Sequence, residues 1–333
     1  MISPSRIGGP PAGSKEGFVR KTIALLAAIG IVAALTACSS NSATAGCDTS
    51  IVSGNASSIV KAPGKVGTAP KVEFPTPLIT KTTQKSDIVA GTGAPLQAGQ
   101  PVVVDVTILN GADGAVLQKT TYGSTGGSLL TLGKSSFPAI SLGLECEHVG
   151  SRVAIVGSAK DSHSGQADPT NNIGANDSFV YVVDVKSAFP AKASGADQIP
   201  QNGMPSVVLT PDGTPGITIP KINPPKSLQV NVLKSGSGAK VASGDYAVLK
   251  YTGVLWNDST VFDSTWKTNQ ATALQIQKGT VVDGFAKGLI GQKVGSQVLL
   301  VVPPSQGYGA QGNGTVPANA TLVFVVDILG IVH

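Results

Sequence analysis

An internal repeat, at a spacing of about 145 residues, is the feature that most constrains the fold of this 333-residue chain. Two copies at this spacing predict two similar domains, because the repeats of solenoid proteins are only about 20–50 residues long. The matching stretches are 67–75 with 213–220, 91–93 with 236–238, 149–151 with 294–296, and 179–185 with 322–328.

Most of the periodicity within each copy is two-fold. Ala247, Leu249 and Tyr251 alternate with Val248 and Lys250, and residues 322–328 alternate in the same way. Such alternation predicts half-buried antiparallel strands.

One short helix is also predicted in the second copy. Asp283 is the expected N-cap, Phe285 and Leu289 share one face, and Gly291 suits a left-handed C-cap. We therefore predict an α+β fold in which each domain is a twisted antiparallel sheet wrapped on one short helix.

The domain boundaries follow from the repeat and from local composition. We predict a signal peptide over 1–37, a flexible tether over 38–57, a first domain over 58–190, a linker over 191–205 and a second domain over 206–333. The formal net charge is +5, and the basic residues of the mature part are scattered, which argues against a nucleic-acid partner.

The N-terminus has the sequence features of an export signal. Arg20 and Lys21 precede an apolar run, 23–37, which is shorter than the ~20 residues of a comfortable transmembrane helix. The run ends at Cys38 in a sequence, 35–38, that resembles a bacterial lipobox, so we predict a lipidated Cys38 that anchors the protein to a membrane. The alternative is an uncleaved anchor helix, and both readings place the mature protein outside the cytoplasm.

The other two cysteines, Cys47 and Cys146, form an even pair in a chain expected to be exported. In an oxidising compartment such a pair predicts a disulfide. The alternative is a metal site built on Cys146 and His148, but two ligands without a further cluster make a poor site. We predict no metal and no cofactor.

Six short motifs of the second copy resemble, in their order and spacing, the FKBP-type peptidyl-prolyl cis-trans isomerases. The resemblance covers about residues 226–332, and its strength lies in the ordered set rather than in any one motif. The motifs occupy 250–253, 261–264, 281–285, 294–296, 307–309 and 320–326.

This resemblance implies a hydrophobic proline pocket between the sheet and its helix. It implies that the Val282 N–H donates to a ligand carbonyl and that Phe285 forms the floor, where the family usually has tryptophan. By the same resemblance, the catalytic residues are expected to be Tyr251, Phe262, Asp263, Val282, Phe285, Tyr308 and Phe324. Substrate-binding positions are carried over to Leu274, Val281 and Val316.

The implied partners are proline-containing polypeptides and macrolide inhibitors. The family often has an aromatic residue where Leu274 stands, so this departure and Phe285 both reduce the aromatic lining. We expect that loss to weaken macrolide binding more than isomerase activity. X–Pro isomerisation needs a dry pocket rather than a nucleophile or a metal.

The first copy keeps the scaffold positions but loses the pocket residues. Val106, Leu117, Gln118 and Ile140 stand where the second copy has Tyr251, Phe262, Asp263 and Phe285. We therefore predict that the first domain lacks catalytic residues and serves as a spacer, a protein-binding module or a stabilising neighbour.

Two function classes remain after these steps. The first is a folding catalyst for exported proteins, and the second is a non-catalytic chaperone or binding module at the cell envelope. A nucleotide site is not expected at 307–312, although these residues match G-x-G-x-x-G, because no helix is predicted after them.

Overall fold

The computed structural model describes residues 51–124, 126–133 and 138–332. The predicted signal peptide, Cys38 and Cys47 lie outside these ranges. All described residues belong to one compact unit. No helix among them is long and apolar enough to cross a membrane.

The N-terminal half of the described chain builds a six-stranded antiparallel sheet, the first sheet. Its strand order is β1-β5-β6-β2-β3, and β4 pairs with β2. The elements are α1 (Asn55–Ser58), β1 (Gln84–Val89), β2 (Pro101–Asn110), β3 (Val116–Lys119), β4 (Ser128–Thr131), α2 (Pro138–Leu144), β5 (Arg152–Gly157), α3 (Ala159–His163) and β6 (Phe179–Ala188).

The C-terminal half builds a seven-stranded antiparallel sheet, the second sheet, and a separate hairpin of β8 and β9. The order is β12-β11-β15-β14-β10-β7, and β13 pairs with β11. The elements are β7 (Ala196–Asp197), β8 (Ser206–Leu209), β9 (Pro215–Thr218), β10 (Gln229–Ser235), β11 (Tyr246–Leu255), β12 (Val261–Ser264), β13 (Thr272–Gln275), α4 (Asp283–Leu289), β14 (Gln297–Val302) and β15 (Leu322–Val332).

The two sheets share one register, as the sequence repeat requires. Ile108 of β2 pairs with Gln118 and with Tyr181, and Gly253 of β11 pairs with Asp263 and with Phe324. Helix α2 packs on β5, and α4 packs on β14, so each sheet carries a short helix at the same place. The predicted α+β class is confirmed.

The predicted N-cap of helix α4 is wrong by one residue. Val282, in an extended conformation, is the N-cap, and Asp283 is already the first helical residue. The other predictions for this helix hold, because Phe285 and Leu289 are buried and Gly291 has a φ of +86°. A glycine suits that position, since left-handed backbone costs it no Cβ clash.

The prediction of half-buried strands is also wrong, since residues 247–250 of β11 and 322–330 of β15 are buried on both faces. The reason is that the chain preceding each sheet lies across its outer face, the face turned away from the helix. In the first half Val60, Leu78 and Phe74 pack there. In the second half Met204 and Ile219 pack on Trp256 and its neighbours.

The segments predicted as tether and linker are packed at least in part. Ser57, in the stretch predicted as tether, is fully buried, and its hydroxyl lies 2.8 Å from the Ser86 hydroxyl. In the predicted linker, β7 pairs with β10, and the Ala193 N–H donates to the buried Asp327 at 2.8 Å. Both segments therefore contribute to the stability of the sheets they precede.

This outer-face packing predicts that a fragment trimmed to the family motifs is unstable. A fragment 226–333 lacks Met204, Val207, Ile217 and Ile219, which cover the second sheet. Because full burial of such a side chain stabilises by about 1.5–3 kcal/mol, we expect a loss of several kcal/mol relative to a fragment 192–333. Urea unfolding of both fragments measures the difference, and equal stabilities would show that the covering segment contributes nothing.

Candidate functional site

A cleft of about 180 Å³ opens on the helix side of the second sheet, and we call it the second cleft. Strands β11, β12 and β15 form its base, α4 closes one end, and the loop before β15 supplies Tyr308. The lining residues are Tyr251, Phe262, Asp263, Leu274, Thr280, Val281, Val282, Phe285, Tyr308 and Phe324.

The base of the second cleft is a cluster of aromatic rings around Phe324. Its ring centroid lies 5.1 Å from that of Phe285 and 5.5 Å from that of Phe262, and both pairs meet edge to face. Tyr251 joins from 6.5 Å. Such pairs stabilise by about 0.5–1.5 kcal/mol beyond burial, so the rings form a fixed apolar wall rather than a loose patch.

Gly253 makes room for this wall, a role that was not predicted from the sequence. A Cβ atom at Gly253 would lie 2.5 Å from the Phe262 ring, which is closer than carbon atoms can approach. Any side chain at this position would therefore displace the ring. Comparison of the two copies could have indicated this role. In the first copy Ile108 stands at the Gly253 position, and the smaller Leu117 stands at the Phe262 position.

A hydrogen bond joins the two polar groups of the second cleft. The Tyr251 hydroxyl donates to Asp263 Oδ2 at 2.5 Å. Burial, followed by the hydrogen bond and charge of Asp263, raises the pKa of Tyr251. The phenol therefore stays neutral, and it acts as a fixed donor and not as a base.

Val282 lines the same cleft from the turn that begins α4. Because Val282 is the N-cap, its backbone N–H lies outside the hydrogen-bond ladder of the helix. It forms no hydrogen bond with any of the residues that the structure describes. It is therefore free to bind a ligand carbonyl, as the family resemblance implies.

The structure brings nine of the ten predicted site residues together in the second cleft. Val316 differs from the prediction, because it is only 4% exposed and packs within the core. Thr280 lines the cleft and was not predicted, since a threonine before two valines gives no distinct signal. In the described ranges, no group of three or more His, Cys, Asp or Glu side chains could hold a metal ion.

The chain is similar to known FKBP-type proteins over its C-terminal third. A family profile for FKBP-type peptidyl-prolyl cis-trans isomerase matches residues 237–329. FK506-binding protein 2 of Aspergillus oryzae is 36% identical over 92 residues, which cover 28% of this chain and 69% of that protein. FK506-binding protein 2B of Rhizopus delemar is 41% identical over 113 residues, or 32% of this chain.

The coverage of other relatives is smaller. The matched residues span about half of the Rhizopus delemar protein, at 54%, and 18% of the isomerase FKBP9 of Rattus norvegicus. Among solved structures, FkpA from Escherichia coli matches with 27% identity and a TM-score of 0.31, over 40% of this chain and 53% of FkpA. The similarity in sequence thus lies on the half of the chain that carries the second cleft.

Proposed function

Because this chain belongs to the family of FKBP-type peptidyl-prolyl cis-trans isomerases, we propose that its second cleft isomerises X–Pro bonds in polypeptides. The observation that carries the proposal is the aromatic cleft itself, with Tyr251 held by Asp263 and a free N–H at Val282. The substrate class is a chain with an apolar residue at or next to proline, because the walls are apolar.

The proposed mechanism relies on the electronic structure of the amide. Resonance creates a barrier of about 18–20 kcal/mol and makes the planar bond more polar than the twisted one. The ring cluster around Phe324 excludes water, so it disfavours the polar planar state relative to the twisted state. The Val282 N–H holds a carbonyl of the substrate while the bond rotates, and no proton is transferred.

Exchange spectroscopy on a peptide with a single Leu-Pro bond tests this function. The uncatalysed bond interconverts in tens to hundreds of seconds. We expect catalytic amounts of the full chain to bring cis–trans exchange into the range of seconds or faster. No acceleration by a folded protein would refute the proposal.

We also propose that the second cleft binds macrolide ligands of the kind that the names of the FK506-binding relatives indicate. Their affinity should be reduced, since Phe285 gives a smaller floor than tryptophan and Leu274 gives a non-aromatic wall.

We further propose that the protein acts at the cell envelope, on exported proteins, anchored by a lipidated Cys38. The lipobox-like sequence 35–38 after an apolar run supports this placement. The proposed disulfide between Cys47 and Cys146 is supported by the disulfide-bonded state of Cys146, and it agrees with the oxidising compartment that the proposed export implies.

A Cys38→Ala variant tests the anchor. We expect the wild-type protein to sediment with membranes and the variant to be soluble or unprocessed, because stable anchoring needs acyl chains on that thiol. Cell fractionation with intact-mass analysis measures both outcomes. An unmodified Cys38 in the membrane-bound wild-type protein would contradict the proposal.

A further inference from the structure

A second concave site, which we call the first cleft, lies on the first sheet. Its volume is about 350 Å³, roughly twice that of the second cleft. It is lined by Ile108, Ala115, Val116, Leu117, Gln118, Ser162, Asn171, Ile173, Phe179 and Tyr181.

The shared register places the first cleft on the same strands as the second. Tyr181 pairs with Ile108, as Phe324 pairs with Gly253. Gln118 takes the place of Asp263, Ile108 that of Gly253, and Leu117 that of Phe262. The first cleft is therefore a remodelled site rather than a collapsed one.

The segment between β5 and β6, residues 158–178, borders the first cleft and is stabilised by contacts of His163. The His163 ring lies 4.9 Å from the Phe179 ring, and its two nitrogens contact the carbonyl oxygens of Gln166 and Asp177 at 2.7 and 2.8 Å. A preformed cleft costs less ordering on binding than a flexible one.

The lining of the first cleft is uncharged and mainly apolar, and its polar members are Gln118, Ser162 and Asn171. Ile108, Ile173 and Phe179 form its walls. Among the polar groups, the Ser162 hydroxyl is buried and interacts with the phenol of Tyr181, so it is not left for a ligand. A bulky apolar side chain of a ligand suits this mainly apolar lining.

The first cleft opens beside β3, the last strand of its sheet. An extended polypeptide can pair with the outer edge of such a strand and place alternate side chains in a neighbouring cavity. Val116, which is 60% exposed, stands at this rim. These observations favour a polypeptide over a free small molecule.

From this geometry we infer that the first cleft holds an extended polypeptide through a bulky apolar side chain and does not isomerise it. Val106 and Gln118 replace the tyrosine and carboxylate pair of the second cleft, so the donor at that position is lost. This inference has a consequence for long polypeptide substrates, which rests on the proposed function of the second cleft. A polypeptide held at the first cleft reaches the second cleft at a raised effective concentration, whereas a short peptide does not.

A labelled peptide of Leu, Phe, Ser and Gly, without proline, tests the binding. We expect it to bind the full chain, with fluorescence anisotropy as the readout, and we expect Val116→Lys to weaken its affinity about tenfold or more, since a charge then enters the apolar rim. Val208→Lys is the matched control, because Val208 is a 75% exposed strand residue of the hairpin β8–β9. It should leave the affinity unchanged.

Isomerase assays separate this inference from the proposed function. Val116→Lys should slow the isomerisation of a permanently unfolded, proline-containing protein and leave that of a Leu-Pro tetrapeptide unchanged. Equal peptide affinity in wild type and Val116→Lys would overturn the inference, whatever the activity. If the wild-type protein does not isomerise the tetrapeptide, the proposed function is refuted, but the peptide-binding result still holds.

Discussion

Replacing Arg152 by leucine is expected to lower the free energy of unfolding of the full chain by about 3–5 kcal/mol. Arg152 and Asp184 are both fully buried, and the guanidinium binds the carboxylate through two contacts of 2.6 and 2.7 Å. Leucine would leave a buried carboxylate without its cation. That is among the costliest single changes in a protein interior.

The same arginine also ties the segment on the outer face to the first sheet. Its guanidinium donates to the carbonyl oxygens of Ala62, Pro63, Lys65 and Thr68, at distances of 2.7–3.3 Å. The substitution therefore also leaves these carbonyl groups without a donor. We expect the segment over 60–78 to loosen before the sheet itself unfolds.

Urea unfolding monitored by circular dichroism measures this loss. Lys71→Ala is the control, because Lys71 and Glu73 form an ion pair that is 84% and 55% exposed, and such pairs stabilise little. A double variant, Arg152→Leu with Asp184→Leu, should regain part of the loss, since an apolar pair has no unpaired charge. A stability of Arg152→Leu equal to that of Lys71→Ala would contradict the expected role of the buried pair.

The elements that sequence could predict are those with local or repeated signals. The resemblance to the family located nine of the ten cleft residues, eight of them in the motifs and Leu274 outside them, and the two copies indicated two sheets in one register. Helix α4 was predicted from its apolar spacing and Gly291, within one residue at its start.

The elements that escaped prediction depend on contacts between distant segments. The burial of both faces of β14 follows from residues such as Met204 and Ile219, which lie some 80 or more positions earlier in the chain. The packing of Arg152 on carbonyl groups 84–90 residues away is equally invisible to periodicity. Val316 is buried because the loop that carries it folds back onto the core, and a motif match cannot show that.

Gly253→Ala should reduce kcat/KM for a Leu-Pro peptide by about a hundredfold, since a displacement of roughly 1 Å in a site can cost that much. The new Cβ atom would lie 2.5 Å from the Phe262 ring and would displace it from its contact with Phe324. The fold should survive, because Phe262 is only half-buried at the edge of the sheet.

Gly216→Ala is the matched control for this substitution. The nearest atom to its Cβ would be the Val208 carbonyl oxygen at 3.5 Å, an ordinary contact, and the residue lies on the hairpin strand β9. Exchange spectroscopy and thermal unfolding should be run on both variants. Unchanged turnover in a folded Gly253→Ala variant would mean that the position of the Phe262 ring does not matter for catalysis.

The second cleft, and not the first, is expected to carry the isomerase activity. Phe262→Ala and Leu117→Ala remove the side chains at equivalent positions of the two clefts, and both residues are half-buried. The direct test is the catalysed cis–trans exchange rate of one Leu-Pro peptide with each folded variant of the full chain. We predict a rate that falls strongly for Phe262→Ala and equals the wild-type rate for Leu117→Ala, and the reverse pattern would contradict the account.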